Sequence, residues 1–399
     1  MEKLSIKDVD LNGKKVLIRV DFNVPLEKGK IIDDTRIRAS IPTIQYALDH
    51  GAAVILMSHL GRPNGKRSQD FSLKPCAKHL SDLIKKPVIM ASDCIGPEVE
   101  KIAKSLQPGD ILMLENLRFH KGEEHPLEEP GLANSLSMLG DIYVDDAFGC
   151  AHRSHASITS LAQFFPGKAA AGLLMEKEIA YLGTHLMNPT RPFCALLGGA
   201  KISTKFKVIE ALMHKADVLL IGGAMANTFF KAEEIPIGNS LFEPDFITVA
   251  RQILDVSTQS KARIILPIDV VIARKIDSDK DVRIIDIKTG VPEGFQIVDI
   301  GPKTVQKFSD ELKQAETIFW NGPVGVYEFP TFAKGTKAIA QTLANMDATT
   351  IVGGGDSIAA LEESGLANQI SHISTGGGAS LEFIELGTLP GIEVLTNKK

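Results

Sequence analysis

Four arginines stand beside the ends of short apolar runs in the first half of this 399-residue chain. Arg36 opens a helical pattern in Asp34-Thr35-Arg36-Ile37-Arg38, and Arg62 closes His59-Leu60-Gly61-Arg62. Arg118 ends Glu115-Asn116-Leu117-Arg118, and Arg153 lies in Ala151-His152-Arg153-Ser154-His155. Asp21, Asn23 and His59 occupy comparable run ends. The planar guanidinium fork binds phosphate or carboxylate through two parallel hydrogen bonds. A single arginine of this kind usually pairs with a surface acid. Four at such positions predict a site for a small ligand with more than one negative charge.

The second half ends its apolar runs in glycine instead. They read Leu197-Gly198-Gly199-Ala200-Lys201, Ile221-Gly222-Gly223-Ala224, Asn321-Gly322-Pro323-Val324-Gly325, Gly353-Gly354-Gly355-Asp356-Ser357 and Thr375-Gly376-Gly377-Gly378. Glycine allows close backbone approach and exposes N–H groups to phosphates. Where the loop opens a helix, free amides and the helix dipole add to anion binding. One glycine pair is usually a turn, but five in succession predict a nucleotide site. Asp356 suits either a Mg2+ ligand beside phosphates or a helix N-cap. No Gly-x-x-x-x-Gly-Lys-Ser/Thr, no complete Gly-x-Gly-x-x-Gly and no eukaryotic-type kinase set occurs.

These residues need elements to hold them. Apolar runs at 16–23, 52–60, 87–91, 111–119 and 142–148 alternate with helical patterns, and so do runs at 193–199, 218–223, 263–273, 317–323, 350–355 and 372–378. Runs apolar throughout suit strands buried on both faces by crossover helices. Their alternation with helices predicts doubly wound parallel sheets, with ligands outside the carboxyl ends of the strands. Eleven strands exceed one comfortable sheet, so the chain is expected to form two α/β domains. Phe164-Phe165-Pro166-Gly167-Lys168 is the expected boundary. A helix over about 174–186, stopped by Asn188-Pro189, is expected to connect the domains across a cleft.

Composition narrows the function classes. With 44% hydrophobic and 23% charged residues the chain is an ordinary globular one. A net charge of −5 argues against a dedicated nucleic-acid binder. Residues 1–170 carry 22 basic and 22 acidic side chains, and residues 171–399 carry 22 and 27. Any anion site must therefore be a local cluster. The longest apolar stretches fall short of the ~18–20 residues of a membrane span. The start is charged from Glu2 and lacks the apolar region of a signal peptide. Cys76, Cys94, Cys150 and Cys194 match no metal or redox spacing. A cytoplasmic protein with reduced thiols is expected.

Eight segments carry a resemblance in order along the chain. They are Arg19–Pro25, Ser58–Pro63, Glu115–Phe119, Ala151–Ser157, Leu197–Lys205, Trp320–Glu328, Gly353–Ser357 and Ser374–Ser380. Together they resemble the phosphoglycerate kinase family. Val324 and Tyr327 stand where Met and Phe are common, and Cys150 where Thr is common. None of these removes a charged group.

The resemblance implies two Rossmann-like domains and reversible phosphate transfer from 1,3-bisphosphoglycerate to MgADP, giving 3-phosphoglycerate and MgATP. It implies that Asp21, Asn23, Arg36, His59, Arg62, Arg118 and Arg153 hold 3-phosphoglycerate. Gly198, Lys205, Gly222, Gly322, Glu328, Gly354, Gly355, Asp356 and Ser357 would hold ADP or ATP, with Asp356 on Mg2+. Lys201, Arg36 and the helix start at Gly376, Gly377 and Gly378 would act on the transferring phosphoryl group. It further implies residues 1–170 as the acid-binding domain, residues 171–385 as the nucleotide domain, and residues 386–399 packing back on the first. A monomer acting on small molecules is implied, with neither nucleic acid nor membrane as partner. Direct in-line transfer on domain closure, without a covalent intermediate, completes the expectation.

Overall fold

Val16, Leu17 and Ile18 are fully buried, so strand β1 (Lys15–Arg19) needs cover on both faces. Ala53–Met57 (β2), Ile89–Met90 (β3), Ile111–Met113 (β4), Ile142–Asp145 (β5) and Ala169–Ala171 (β6) join it in one six-stranded sheet. The spatial order is β3-β4-β2-β1-β5-β6, and every pairing is parallel. Strand β1 pairs Lys15 through Arg19 with Ala53 through Met57, and Arg19 with Asp145 on its other side. In this computed structural model the described residues are 2–276 and 280–398. By its own packing the chain divides into one unit running to Ala180 and resuming at Thr388, and a second unit of Tyr181–Gly387.

The helix Thr35–Asp49 covers the first sheet with Ile37, Ile44, Ala47 and Leu48. Burial of each of the Ile and Leu side chains among these contributes roughly 1.5–3 kcal/mol. The C-terminal segment completes this unit: Leu4 N donates to Thr396 O (2.7 Å), Thr396 N to Ala169 O (2.9 Å) and Gly391 N to Ala151 O (2.8 Å).

In the second unit Phe193–Leu197 (β7), Val218–Ile221 (β8), Arg263–Ile265 (β9), Thr317–Asn321 (β10), Thr349–Gly353 (β11) and His372–Ile373 (β12) form a second parallel sheet. Its order is β9-β8-β7-β10-β11-β12. The direction of winding reverses between β7 and β10, the position at which open sheets bind ligands. Cys194, Leu196, Ile318, Trp320 and Val352 lie in its core.

Three expectations change. The run at 263–273 is two strands, because Pro267 interrupts it and cannot donate to a ladder. Its second part, Asp269–Ala273, pairs antiparallel with Arg283–Asp286 and Gln296–Ile300 in a separate three-stranded sheet. Ala169–Ala171 is a strand despite its small side chains, since β5 and Leu4 O satisfy its backbone. The helix expected over 174–186 begins at Leu173, is α-helical to Glu178 and is wider, π-helical, over Ile179–His185.

Candidate functional sites of the two units

Strands β1 and β2 deliver Asp21, Asn23 and His59 to one end of the first sheet. The helix Thr35–Asp49 places Arg36 in its first turn. Arg36 Nη1 donates to Asp21 Oδ2 at 2.7 Å and to Asn23 O at 3.3 Å. Asn23 Oδ1 accepts from Gly61 N at 2.9 Å, and Gly61 O accepts from Arg118 Nη1 at 2.8 Å. Asn116 ties the same loop down through Leu60 O and Phe71 O, and its Oδ1 accepts from Arg118 N. A hydrogen-bonded chain thus fixes the guanidinium groups of Arg36 and Arg118 relative to each other.

Charge balance then decides what this end of the sheet attracts. Arg36 faces Asp21, and Arg118 Nε lies 3.3 Å from Glu124. Arg62 and Arg153 form no ion pair with an acid among the described residues. Arg153 Nε donates to Nε2 of its neighbour His152 at 3.2 Å. Local charge is therefore positive in a half whose net charge is zero. Burial holds His59 well below its usual range, and Arg19, Arg118, His155 and Arg153 push the same way. Burial likewise pushes His155 down to about 3, with Arg118 and Arg19 adding to it. Both rings are neutral at pH 7, so the arginines carry the charge.

Beneath these groups lies a network that the sequence reading missed. Arg19 is fully buried, as is Glu123. Arg19 Nε donates to Ser157 Oγ (2.8 Å), and Ser157 Oγ donates to Glu123 Oε1 (2.6 Å). Cys150 is buried beside them, its thiol pushed up to about 12 by burial first and then by Asp21. The available signal was one arginine at the end of an apolar strand that has no solvent-facing side.

In the second unit the loops after β7, β8 and β10 interlock. Gly198 N donates to Asn321 O (2.9 Å), Gly199 N to Pro323 O (2.7 Å) and Gly223 N to Val324 O (3.1 Å). A Cβ on Gly198 would lie 2.1 Å from Pro323 O, so glycine there serves the contact between loops. Gly322, at φ +95°, is tight for the same reason, while Gly222 packs against Val324. Gly355 and Gly378 have no neighbouring atom within 4 Å of a built Cβ, and theirs is the open backbone.

Lys205 and Ser357 hold this frame. Lys205 Nζ donates to Gly198 O (2.7 Å) and Asn321 O (3.0 Å). Burial pushes its ammonium group down to about 8, against the opposing pull of Asp356. Ser357 is buried, and its Oγ accepts from Gly322 N at 2.7 Å, so its hydroxyl is engaged by the protein. Asn321 Nδ2, buried beside Gly354, has no hydrogen-bond partner among the described residues. Lys201 is exposed, on a loop held by Glu243, which accepts from Ser203 N (2.9 Å) and Oγ (2.5 Å). A pocket of about 220 Å³ opens here, with Leu241, Ile297, Val298 and Val324 as apolar wall and Glu328 and Asp356 as acidic rim. The antiparallel strand Gln296–Ile300 supplies much of that wall and was not foreseen.

The helix Gly378–Leu386 starts at Gly377, whose φ of +56° glycine adopts without strain. Gly376 N bonds to Ser374 Oγ at 3.3 Å. Asp356 lies in the first turn of the helix Gly355–Glu363 without capping it, and it forms no ion pair among the described residues. An exposed carboxylate oxygen in that setting fits Mg2+.

Comparison with known proteins follows this geometry. The family model for phosphoglycerate kinase matches residues 6–386. The phosphoglycerate kinase of Moorella thermoacetica is 51% identical over 398 residues, covering 100% of both chains. That of Chlamydia muridarum is 51% identical over 399 residues, covering 99% of each. The solved phosphoglycerate kinase of Coxiella burnetii superposes with a TM-score of 0.89 at 40% identity, covering 98% of each chain. That of Pyrococcus horikoshii does so at 0.85 and 35%, again covering 98% of each. Sequence, fold and both strand-end sites lead to one conclusion: the chain belongs to the phosphoglycerate kinase family.

Proposed function

We propose that this chain transfers the acyl phosphate of 1,3-bisphosphoglycerate to MgADP, reversibly, with the acid held by the first unit and the nucleotide by the second. The chain of hydrogen bonds from Arg36 through Asp21, Asn23 and Gly61 to Arg118 carries the reading. It presents guanidinium forks beside the uncompensated Arg62 and Arg153, as a phosphorylated carboxylic acid requires. Asp21 and Asn23 orient Arg36 and the Gly61 loop, and His59 offers a neutral ring to the same ligand.

Phosphoryl transfer from an acyl phosphate needs no general base, because the attacking ADP oxygen is already ionised. Catalysis reduces to alignment and to neutralising charge on the phosphoryl oxygens. Lys201, Arg36 and the amides at Gly376, Gly377 and Gly378 would supply that charge. Each such donor is typically worth ~10²–10³ in rate. The nucleotide base would lie on the apolar wall of the second-unit pocket with Glu328 at its rim. The phosphates would lie over the amides of Gly354, Gly355 and Asp356, near Lys205, where the backbone at Gly355 is open. Gly198, Gly222, Gly322 and Ser357 would act by shaping that surface. Mg2+ would be held by Asp356 and would offset the charge of the nucleotide phosphates. A cytoplasmic monomer acting on small molecules belongs to the same reading. No helix among the described residues is long and apolar enough to cross a membrane.

The test is ATP formation from ADP and 1,3-bisphosphoglycerate, with and without Mg2+, in wild type and in Lys201→Ala. Mg2+-dependent ATP formation that falls ~10²-fold or more in the variant supports the reading. Absence of ATP formation by the wild type overturns it. Unchanged turnover in the variant removes Lys201 from the reaction.

A further inference from the structure

Arg19 is charged, fully buried and outside every ligand-binding role assigned above. Its guanidinium group reaches upward to His59, with Nη2 3.2 Å from the ring Nδ1. We propose that Arg19 is a positioning residue that holds His59 as the Nε2–H tautomer, so that the ring meets an anionic substrate as a hydrogen-bond donor. The inference rests on the reading of this cluster as the 3-phosphoglycerate site.

The argument is one of donors and acceptors. A guanidinium group has five N–H donors and no acceptor. The ring nitrogen facing it must therefore accept. A proton on Nδ1 would put two donors against each other inside the protein, where an unmet donor costs free energy. The Cys150 sulfur also lies 4.0 Å from Nδ1, and an Asp21 carboxylate oxygen, paired with Arg36, lies within 4.8 Å of a ring nitrogen. Burial keeps that thiol protonated, so it adds no charge that would favour an imidazolium. With Nδ1 occupied as acceptor, the ring proton sits on Nε2.

The guanidinium group cannot turn away, because its other nitrogens are engaged. Nε donates to Ser157 Oγ at 2.8 Å and Nη1 to the carbonyl oxygen of Val20. Ser157 is locked by Glu123, which accepts from its hydroxyl at 2.6 Å and its backbone N–H at 3.0 Å. Glu123 Oε1 also lies 3.9 Å from Arg19 Nη2 and balances its charge. Tyr143 OH fixes the same turn through Ser157 O at 2.7 Å. His59 in turn lies two residues before Gly61, which Asn23 and Arg118 clamp from both sides. Ring position and ring tautomer are thus set by different residues.

The experiment uses the full chain labelled with ¹⁵N-histidine, without ligand, at pH 7. Long-range ¹H–¹⁵N correlation reads the protonation of both nitrogens in each of the 10 histidines, and His59→Gln assigns the His59 signals. Protonated Nε2 with bare Nδ1 is expected in the wild type. Arg19→Met is expected to give a mixture of tautomers and to raise KM for 3-phosphoglycerate about tenfold, with kcat changed less than twofold. If that variant fails to fold because Glu123 is left unpaired, Arg19→Met with Glu123→Gln removes both charges together. A protonated Nδ1 in the wild type overturns the proposal. So does a pure Nε2–H tautomer persisting in the folded variants. Titration with 3-phosphoglycerate separates the two levels of the argument. A shift of the His59 Nε2 signal supports the donor role. No shift, with the tautomer as stated, overturns the substrate-site reading while leaving the hold of Arg19 on the ring intact.

Discussion

The Lys205 ammonium group lies 2.7 Å from the carbonyl oxygen of Gly198, the first residue after strand β7. It reaches the Asn321 carbonyl as well, at 3.0 Å. One side chain therefore joins the ends of β7 and β10 where the winding of the second sheet reverses. Two backbone carbonyls solvate the cation less well than water does, which is why its proton is held weakly. An anion beside it would hold that proton in place.

Nucleotide affinity should therefore depend on pH through Lys205. With the group at about 8 in the free protein, binding of MgADP is expected to be level below that pH. Above it, affinity should fall by up to tenfold per unit as the ammonium deprotonates. Calorimetric titration between pH 6.5 and 9.5 would read this. In Lys205→Met the slope should vanish and binding should be weak throughout; an equal slope in the variant would assign it to another group.

Gly198→Ala and Gly355→Ala should behave oppositely. A methyl group on Gly198 meets Pro323 O at 2.1 Å, and the rigid loop partner must move. We expect a loss of about 2 kcal/mol or more in stability, together with weaker ADP binding. Gly355→Ala places its methyl in open space at a helix start, so stability should change by less than about 1 kcal/mol. The single tryptophan, Trp320, is buried in the second unit and donates to Gly322 O at 2.8 Å. Its fluorescence during urea unfolding reports the affected region directly.

Removing Glu123 should unsettle the first unit more than removing a surface acid. Its side chain is wholly buried against Arg19 and Ser157. Glu123→Ala removes the carboxylate paired with a buried guanidinium group, at a cost of about 3–5 kcal/mol. Glu123→Leu combined with Arg19→Met should cost less than Glu123→Ala alone. Scanning calorimetry of the two variants decides the matter, and equal losses would show that the pair contributes by packing alone.

Asp299 predicts a pH effect of the opposite sign to that of an ordinary carboxylate. Burial raises it from 3.8 to about 7, although Gly335 N and Ile300 N donate to it. The folded protein keeps this proton while the unfolded chain releases it above pH 4. The contribution of Asp299 to stability is therefore greatest at low pH and declines as pH rises through 4 to 7. Asp299→Asn should accordingly gain on the wild type as pH rises, by about 2 kcal/mol at pH 5 and up to about 4 kcal/mol at pH 8. A constant difference across that range would mean that Asp299 is ionised throughout.

Strand–helix alternation and the chemistry of strand ends are local properties, so they were legible along the chain. Apolar runs such as Ala53–Met57 can be satisfied only by a sheet buried on both faces, and that face count implies parallel pairing. The arginines and glycines that follow these runs then fall at the carboxyl ends, whatever the strand order. Tertiary structure alone decided which of those residues the protein uses for itself. Gly198 and Gly322 are glycine because two loops far apart in sequence meet within van der Waals distance. Ser357 looks available beside its glycines, yet it caps Gly322. Arg19 reads as an ordinary strand residue, yet Ser157 and Glu123 lie 138 and 104 positions away in sequence and make it the floor of a site. Hydrogen bonds and ion pairs of that separation leave no periodic trace in sequence, because their geometry exists only once the strands are in register.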